Sequence, residues 1–366
     1  MDGVFEKVIN RLGFGCMRFP LTDNKDIDME QVKRMVDLFI ERGFNYFDTA
    51  HGYLDQRSEG TLKTCLVSRH PRESYLLADK LSNGFFEKEE DILPLFERQL
   101  ECCGVEYFDY YLMHALDGAS YRKYASCNAF KVVSELKRQG RIRHVGMSFH
   151  DSAQVLREIL SKESCIEFVQ LQINYLDWES ESVQSRLCYE TCVEFGKPVI
   201  VMEPVKGGTL AQLLPEADRV LDTLDPRDSN ASYALRYVMG LDNVKVILSG
   251  MSDIAQVKEN TDLFLNAGPL DEKALEALEE VRRITLAHGS IACTGCRYCT
   301  EVCPIDMPIP EIFSFMNSGR KAGYDSLVTN TKASDCLQCG RCEKACPQHL
   351  PIRRYLGNAA FRFERK

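Results

Sequence analysis

The sequence has no excess of basic residues. Its 366 residues include 45 Lys and Arg against 54 Asp and Glu, which gives a formal net charge of −9. Because nucleic-acid binding depends on cations that neutralise phosphates, we expect no nucleic-acid partner. The hydrophobic share of 45% and the charged share of 27% are typical of globular domains, so a disordered or fibrous chain is excluded.

Long hydrophobic runs and an export signal are also missing. No apolar run approaches the ~20 residues that a membrane-spanning helix needs, and the mean hydropathy is −0.25. The first seven residues show neither the basic region nor the apolar stretch of a secretory signal. We therefore expect a cytoplasmic protein without a membrane partner.

Cysteine, in contrast, is abundant. Of the 16 cysteines, eight lie between residues 293 and 346, and the other eight are scattered over the preceding part of the chain. Disulfide scaffolds are short, secreted and evenly cross-linked, which does not describe this sequence. Metal binding is therefore the better interpretation of the crowded cysteines.

The crowded cysteines form one motif twice. Both copies read C-x2-C-x2-C-x3-C-P, and in proteins with two 4Fe–4S clusters the fourth cysteine of such a run binds the other cluster. The spacing therefore predicts two clusters with crossed ligation. The predicted ligands are Cys293, Cys296, Cys299 and Cys346 for one cluster, and Cys336, Cys339, Cys342 and Cys303 for the other.

Zinc is the alternative metal, because it also binds paired C-x2-C knuckles. A tetrahedral zinc site does not need a third cysteine followed by Cys-Pro, and here that arrangement occurs twice. Between the two motifs, Ile309, Ile312, Phe313 and Met316 recur at helical spacing. The region resembles the α-helical dicluster ferredoxins, such as the cluster domains of the succinate dehydrogenase and heterodisulfide reductase families.

Helical and strand patterns alternate in the chain before this region. Helical segments end at Gly43, Gly104, Gly140 and Gly196, each shortly before a strand-like run. The predicted strands cover residues 8–15, 44–48, 74–80, 107–114, 143–148, 168–174, 198–203 and 244–250. Eight βα units of this length predict a (β/α)8 barrel, with a doubly wound sheet as the alternative.

The chain is long enough for two or three domains at roughly 100–200 residues each. We expect an α/β protein in which a (β/α)8 TIM barrel is followed by a small α-helical dicluster ferredoxin-like domain. The predicted boundaries are residues 1–270 for the barrel, 271–288 for a connecting helix, 289–352 for the dicluster domain and 353–366 for a C-terminal tail.

Polar side chains follow the second, third and fourth predicted strands. Because the carboxyl ends of barrel strands share one mouth, we expect Asp48, Tyr53, Lys80 and His114 to lie together there. A lysine beside a tyrosine lowers the pKa of the phenol and makes it a better general acid. Taken singly, Asp48 could cap a helix, Lys80 could lie on the rim and His114 could be a core residue.

These residues resemble the aldo–keto reductase family over residues 4–266. The similar segments are residues 11–15, 47–53, 79–80, 109–114, 143–148, 207–210 and 259–260, and Gln170. The resemblance implies that Tyr53 is the proton donor, that Lys80 and Asp48 tune it, and that His114 orients a carbonyl. The implied cofactor contacts are Ser148, Gln170, Gly208, Ser249, Gly250, Gln256, Glu259 and Asn260.

Three departures from the family pattern concern the cofactor. Phe149 follows Ser148 where many members have asparagine, and residues 201–204 lack the aromatic residue that often stacks on the nicotinamide. No Lys or Arg occurs from residue 250 until Lys258, which weakens recognition of a 2′-phosphate. NADP(H) is the expected cofactor, with NAD(H) or a flavin as alternatives.

We therefore expect an iron–sulfur oxidoreductase of the aldo–keto reductase type. It would act on a carbonyl or alcohol with NAD(P)(H) and transfer electrons through two 4Fe–4S clusters. The alternative is an electron-transfer carrier or adaptor whose barrel docks a partner or binds cofactor without carbonyl reduction. Because a nicotinamide delivers two electrons as hydride and a cluster passes one, a ferredoxin or flavoprotein is the expected redox partner.

Overall fold

A closed barrel of eight parallel strands is the main feature of the fold, seen in a computed structural model that describes residues 2–225, 228–318, 323–324, 328 and 331–364. The strands are β1 (Leu12–Gly15), β2 (Tyr46–Asp48), β3 (Leu76–Leu81), β4 (Phe108–Leu116), β5 (Ile142–Phe149), β6 (Phe168–Gln172), β7 (Val199–Met202) and β8 (Val244–Ser249). All eight predicted strands are confirmed. The doubly wound alternative is wrong, because β8 pairs with β1 and closes the sheet.

Helices connect these strands. They are α1 (Met29–Glu41), α2 (Ser58–Leu62), α3 (Glu89–Cys103), α4 (Gly118–Ser126), α5 (Ala129–Arg138), α6 (Ala153–Lys162), α7 (Ser185–Glu194), α8 (Pro215–Asp222), α9 (Asn230–Met239) and α10 (Ile254–Asn266). The glycines predicted to end helical segments have φ values of 83° at Gly43, 73° at Gly104, 77° at Gly140 and 62° at Gly196. Glycine adopts this left-handed conformation without steric cost, so each of these residues lets the chain turn toward its next strand.

The residues that fill the interior of the barrel show which side chains point inward at the carboxyl-terminal ends of the strands. The interior core consists of Tyr46, Leu76, Ala78, Tyr110, Leu112, Phe168, Ile200, Val246 and Leu248. Side chains alternate along a strand, so the residue two positions beyond an interior residue is also interior. By this rule Asp48, Lys80 and His114 point inward at the ends of β2, β3 and β4.

The chain separates into two compact units. The first comprises Met1–Pro204 and Leu235–Pro269 and contains all eight strands, and the second comprises Val205–Ala234 and Leu270–Lys366. The segment after β7 therefore groups with the C-terminal region, which the sequence did not predict. The boundaries at residues 270, 288 and 352 stay a prediction. Residues 319–322, 325–327, 329–330 and 365–366 of the predicted dicluster domain and tail lie outside the described residues.

The C-terminal part of the second unit is helical. It contains α11 (Glu272–Ala287), α12 (Tyr298–Glu301), α13 (Ile309–Ser318), α14 (Arg341–Ala345) and α15 (Ile352–Ala359). Helix α11 corresponds to the predicted connecting helix and packs against α8. A separate core that includes Ile312, Phe313, Ile352 and Leu356 lies among the short helices of the cysteine-rich region.

The eight cysteines outside the two motifs belong to the barrel unit. Six of them are buried, and among the described residues all sixteen cysteines are free of disulfides. Burial raises the pKa of the Cys103, Cys188 and Cys192 thiols. These thiols therefore stay protonated and behave as small apolar side chains.

Within the described part of the chain, no helix combines the length and the apolar character that crossing a membrane requires.

Candidate active site and metal centre

A buried ion pair lies at the carboxyl ends of β2 and β3. The ammonium nitrogen of Lys80, whose side chain is 0% exposed, donates to Asp48 Oδ1 and to the Thr49 carbonyl oxygen, each at 2.6 Å. A buried ammonium group needs a counter-charge and hydrogen bonds in place of water, and these two acceptors supply both. Asp48 Oδ2 is buried without a hydrogen-bond partner among the described residues. Lys80 is thus a core residue and does not lie on the rim.

Tyr53 completes the cluster beside this ion pair. Its ring centroid lies 4.9 Å from Lys80 Nζ. The His114 ring meets the Tyr53 ring edge-on, with 5.8 Å between their centroids. The structure therefore brings the four predicted catalytic side chains together.

The electrostatic environment of Tyr53 differs from the expectation. Burial raises the pKa of Tyr53 well above its ordinary value, and the carboxylates of Asp48 and Glu203 raise it further. The expected net lowering of this pKa is wrong, because burial outweighs the effect of the neighbouring Lys80 ammonium. A phenol with a raised pKa keeps its proton at neutral pH, which suits a proton donor.

His114 is a neutral imidazole held in place by β3 and α4. Burial, followed by the charge of Lys80, lowers the pKa of His114 well below its ordinary value. Its Nδ1 lies 2.7 Å from Ser82 Oγ, and its backbone N–H donates to the Tyr124 hydroxyl at 3.1 Å. In a neutral imidazole one ring nitrogen donates and the other accepts. If Ser82 donates to Nδ1, Nε2 carries the hydrogen and can donate to a substrate oxygen.

Sequence reasoning missed Ser82 and Tyr124. Ser82 follows β3 directly, and its position just after Lys80 was the available signal. Tyr124 comes from α4 and donates from its hydroxyl to the Leu81 carbonyl oxygen. The Tyr124 hydroxyl therefore joins the end of β3 to the backbone of His114, a contact that no local pattern reveals.

Ser148 and Gln170 lie side by side at the ends of β5 and β6. Ser148 Oγ accepts from the Ala115 backbone N–H at 2.7 Å, and Gln170 Nε2 donates to Met202 Sδ at 3.4 Å. Gln170 Oε1 is buried and has no hydrogen-bond partner among the described residues. An unpaired buried oxygen costs free energy, and an amide N–H such as that of a nicotinamide carboxamide would satisfy it. On this observation the residues fit the expected cofactor.

Phe149 does not reach this position. Strand alternation places it on the face opposite to Ser148, where it is 2% exposed and in register with Leu171. Phenylalanine at this position therefore places no aromatic ring beside Gln170. The residue of β7 whose side chain contacts Gln170 is Met202, the last residue of that strand.

The segment expected to hold the adenosine phosphate follows β8. Ser249 Oγ accepts from Asn260 Nδ2 at 3.0 Å, and Gln256 Oε1 accepts from the Ser252 backbone N–H at 2.8 Å. Asp253 caps α10 by accepting from the Gln256 backbone N–H at 2.8 Å. A carboxylate therefore occupies the positive end of this helix, where an anionic ligand would otherwise be favoured. Glu259, the remaining acidic residue predicted here, is exposed.

Arg18 is a cation beside this segment that sequence reasoning missed. A Cβ atom on Gly250 would lie 3.0 Å from Arg18 Cδ, and Ser252 Oγ donates to the Arg18 carbonyl oxygen at 2.9 Å. The guanidinium pairs with Glu203 at 3.8 Å. Arg18 follows β1, far from Gly250 in the sequence, so only the pairing of β1 with β8 brings the two together.

Gly208, the remaining predicted cofactor contact, lies in the second unit. It belongs to a 3₁₀ turn (Lys206–Ala211) and has a φ of 97°. At the neighbouring Gly207, a Cβ atom would lie 1.9 Å from the carbonyl oxygen of Thr294. The backbone of this turn therefore packs directly on the loop of the first cysteine motif.

Each predicted set of four cysteines lines one cavity. The first-motif cavity and the second-motif cavity are both small and open to solvent on one side. Their cysteines are, respectively, Cys293, Cys296, Cys299 and Cys346, and Cys303, Cys336, Cys339 and Cys342. Four thiols around one cavity, three from one motif and the fourth from the other, fit the donor set of a 4Fe–4S cluster with crossed ligation.

Family models match both regions of the chain. The model of the aldo/keto reductase family matches residues 11–283. The model of the 4Fe-4S dicluster domain matches residues 292–350, which include all eight motif cysteines.

The similar proteins include oxidoreductases and an iron-sulfur subunit. An uncharacterized oxidoreductase of Schizosaccharomyces pombe is 28% identical over 273 residues, which cover 70% of this chain and 82% of that protein. An iron-sulfur subunit of the CoB–CoM heterodisulfide reductase of Methanocaldococcus jannaschii is 29% identical over 177 residues, which cover 46% of this chain and 22% of that protein. A solved aldo-keto reductase from Bacillus halodurans, in its holo form, is similar with a TM-score of 0.61 and 26% identity, covering 75% of this chain and 92% of its own.

Proposed function

Because the chain belongs to the aldo/keto reductase family and carries a 4Fe-4S dicluster domain, we propose that it is an iron–sulfur oxidoreductase that reduces a carbonyl or oxidises the corresponding alcohol. The observation that carries this proposal is the cluster of Asp48, Tyr53, Lys80 and His114 at the ends of the barrel strands. A nicotinamide supplies the hydride when it is bound.

In this proposal Tyr53 gives its proton to the carbonyl oxygen. Its raised pKa keeps the phenol protonated until reaction, and His114 donates to the same oxygen from Nε2. Asp48 fixes the Lys80 ammonium 4.9 Å from the phenol ring. From there the ammonium stabilises the phenolate that forms as the proton leaves, an effect that acts in the transition state rather than in the resting enzyme.

We propose NADP(H) as the nicotinamide cofactor. Gln170 Oε1, buried and unpaired among the described residues, would accept from the carboxamide, with Ser148 beside it. Arg18, whose aliphatic stem lies next to Gly250, would supply the positive charge for a 2′-phosphate by exchanging its pairing with Glu203 for the phosphate. The carboxylate of Asp253 at the start of α10 would repel a phosphate group there. The preference for NADP(H) over NAD(H) therefore depends on Arg18.

The dicluster region would hold two 4Fe–4S clusters, each of which passes one electron when present. The support is the pair of cavities, each lined by four cysteines that are drawn from both motifs. Four cysteines per cavity would also satisfy a tetrahedral zinc ion, so the preference for iron rests on the repeated Cys-Pro motif and on the dicluster family match.

An electron carrier or adaptor is the second candidate function. One observation favours it: Asp253 occupies a helix terminus where the cofactor phosphate is expected. Such a protein would not turn over carbonyls, whether or not its barrel binds a nucleotide.

Nucleotide binding and turnover by anaerobically purified protein separate the two functions. We expect NADPH to bind and a carbonyl panel to contain at least one substrate. We expect Tyr53→Phe to lower kcat by about 10²–10⁴-fold, as loss of a general acid does. NADPH affinity should be unchanged in this variant because the ring is kept. Turnover that survives Tyr53→Phe would remove Tyr53 from the reaction, and protein with intact clusters and no turnover would favour the adaptor.

A further inference from the structure

The two cysteine cavities differ in their exposure to solvent. In the second-motif cavity, Cys339 is exposed and the nearby Leu337 is 62% exposed, whereas Cys342 is 8% exposed. In the first-motif cavity, Cys299 is 7% exposed, Cys346 is 8% exposed and the other two cysteines are only partly exposed. Electron transfer between proteins requires close approach of the two redox centres. The second-motif cavity is therefore the more accessible to an external carrier.

The loop of the first cysteine motif is packed against another segment of its own unit. The carbonyl of Thr294, which lies between two ligand cysteines, is packed against the backbone of Gly207. Ile309 lines both cavities, so the two lie next to each other. An electron that enters at the second-motif cavity thus has the first-motif cavity as its neighbour.

Basic side chains surround the accessible cavity. Arg341 and Arg353 line the second-motif cavity, and Arg353 and Arg354 line the open cleft beside it. All three are exposed, and Arg353 also pairs with Glu343 at 2.7 Å. These cations stand out because the chain as a whole has a net charge of −9.

We propose that Leu337, Cys339, Arg341, Arg353 and Arg354 form a port surface that docks a small acidic one-electron carrier. The proposal rests on the proposed function in one respect, that the second-motif cavity holds a cluster. Each transfer moves one electron: the carrier is oxidised and the cluster is reduced, and no bond or proton changes place. Leu337 supplies apolar contact at the centre and the arginines form a charged rim, as in small, transient interfaces.

The charge of the carrier provides a sharp distinction. Long-range repulsion from a chain of net charge −9 disfavours an acidic partner, whereas the local arginines attract it at contact. A basic carrier is attracted at long range by the net charge of the chain and repelled at contact by the arginines. Preference for an acidic carrier therefore reports on the port surface and not on the molecule as a whole.

The test measures binding of an acidic plant-type ferredoxin to the full-length, cluster-loaded protein. Gallium in place of the ferredoxin iron gives a probe that binds without electron transfer, and calorimetry at low and moderate salt gives its Kd. Cytochrome c serves as the basic comparison. We expect the ferredoxin to bind more tightly than cytochrome c, with an affinity that falls as salt is added.

Charge reversal on the port surface gives the decisive comparison. We expect Arg341→Glu with Arg354→Glu to raise the Kd of the ferredoxin by about tenfold or more and to flatten its salt dependence. Leu337→Gln should weaken binding without changing the salt dependence. The control is Lys273→Glu with Arg283→Glu on α11, which makes the same charge change at exposed residues that line neither cavity.

Two results would overturn the proposal: tighter binding of cytochrome c by wild-type protein, or equal weakening by the control pair. Iron content and the visible spectrum of every variant establish that the clusters are intact. Because neither nicotinamide nor carbonyl enters the assay, failure of carbonyl reduction leaves its result unaffected. Absence of iron in wild-type protein would show that the proposed function itself is wrong.

Discussion

The Lys80 side chain lies in a position from which water is excluded. Asp48 Oδ1 and the Thr49 carbonyl oxygen, each 2.6 Å from the ammonium nitrogen, replace its hydration. Burial raises the pKa of Asp48, and the charge of Lys80 opposes that rise. The two charges therefore depend on each other, and a change to either residue alters the environment of Tyr53.

Replacing Lys80 with methionine tests the role of this charge. In alcohol oxidation Tyr53 must accept a proton, so the phenolate is its active form. Loss of the ammonium group raises the pKa of Tyr53 further. We therefore expect the rising limb of the kcat–pH profile in Lys80→Met to move to higher pH, with a lower kcat. Lys80→Arg keeps the charge and serves as the control. A lower rate with an unshifted profile would make Lys80 a packing residue.

Ser82 acts as a positioning residue for His114. Its hydroxyl lies 2.7 Å from Nδ1 of the neutral imidazole, so it favours the tautomer that carries hydrogen on Nε2. In Ser82→Ala we expect kcat for carbonyl reduction to fall by about tenfold, less than the 10²–10⁴-fold that loss of a general acid costs, because the imidazole itself remains. Nitrogen NMR should show a mixture of His114 tautomers, and Ser82→Thr should restore the wild-type form. An unchanged tautomer in Ser82→Ala would contradict this role.

At the scale of secondary-structure elements, α2, α3 and β3 enclose a second group of buried polar side chains. Glu59 and Asp79 are fully buried, and His51 Nδ1 lies 2.9 Å from Glu59 Oε2. Burial raises the pKa of both carboxyl groups, and the proximity of Glu59 raises that of Asp79 further. Burial also lowers the pKa of His51, which leaves this ring neutral. The pair of carboxyl groups therefore retains a proton near neutral pH.

This retained proton makes the stability of the barrel depend on pH. The pKa of Glu59 is raised from 4.5 to about 7 in the folded protein, so its stabilising contribution is complete below the unfolded pKa and is lost as the pH rises through the folded one. We expect the urea midpoint of wild-type protein to decrease as the pH is raised from about 5 to about 8, and Glu59→Gln to reduce this decrease.

Unfolding can be followed by the fluorescence of the single tryptophan, Trp178, which lies in the barrel unit and reports on that unit alone. Glu90→Gln at an exposed position of α3 is the control, and parallel curves for wild type and Glu59→Gln would contradict the assignment.

In the proposed crossed ligation, the last cysteine of each motif binds the cluster held by the other motif. Cys346 ends the second motif but lines the first-motif cavity. We expect about eight irons in wild-type protein and about four in Cys346→Ala. Adding Cys293→Ala to Cys346→Ala should remove no further iron, whereas adding Cys336→Ala should remove the remaining cluster. Iron analysis and EPR of the reduced proteins give the result, and the opposite pattern would show that each motif binds its own cluster.

At the scale of the whole molecule, local patterns predicted most of the fold. Glycines in the left-handed conformation, such as Gly43, end helices and could be recognised in the sequence. The spacing of the cysteine ligands could also be recognised, because it depends on residues close together in the chain. The contacts of Arg18 with Gly250 and of Gly207 with Thr294 were not predicted, because they join residues distant in the sequence. The pKa direction of Tyr53 was wrong for a related reason, since burial depends on the closed barrel. The cofactor and the catalytic roles stay predictions.

The two regions of the chain handle electrons in different numbers. The barrel chemistry proposed for Tyr53 accompanies a hydride, which carries two electrons, whereas each cluster passes one. The two family models that match the chain describe a reductase barrel and a dicluster domain, and neither is a dedicated flavin domain that would split the pair. We therefore expect NADPH alone to be a poor reductant of the clusters, and an external one-electron carrier to be an effective one.

An anaerobic titration tests this division most directly. NADPH is added to cluster-loaded protein that has been shown to contain no flavin, and the visible absorbance of the clusters is followed with time. We predict that the absorbance changes little with NADPH and bleaches promptly when reduced ferredoxin is added. Rapid and complete bleaching by NADPH alone would contradict this prediction, because it would mean that the barrel passes the two electrons of the hydride to the clusters without a separate carrier.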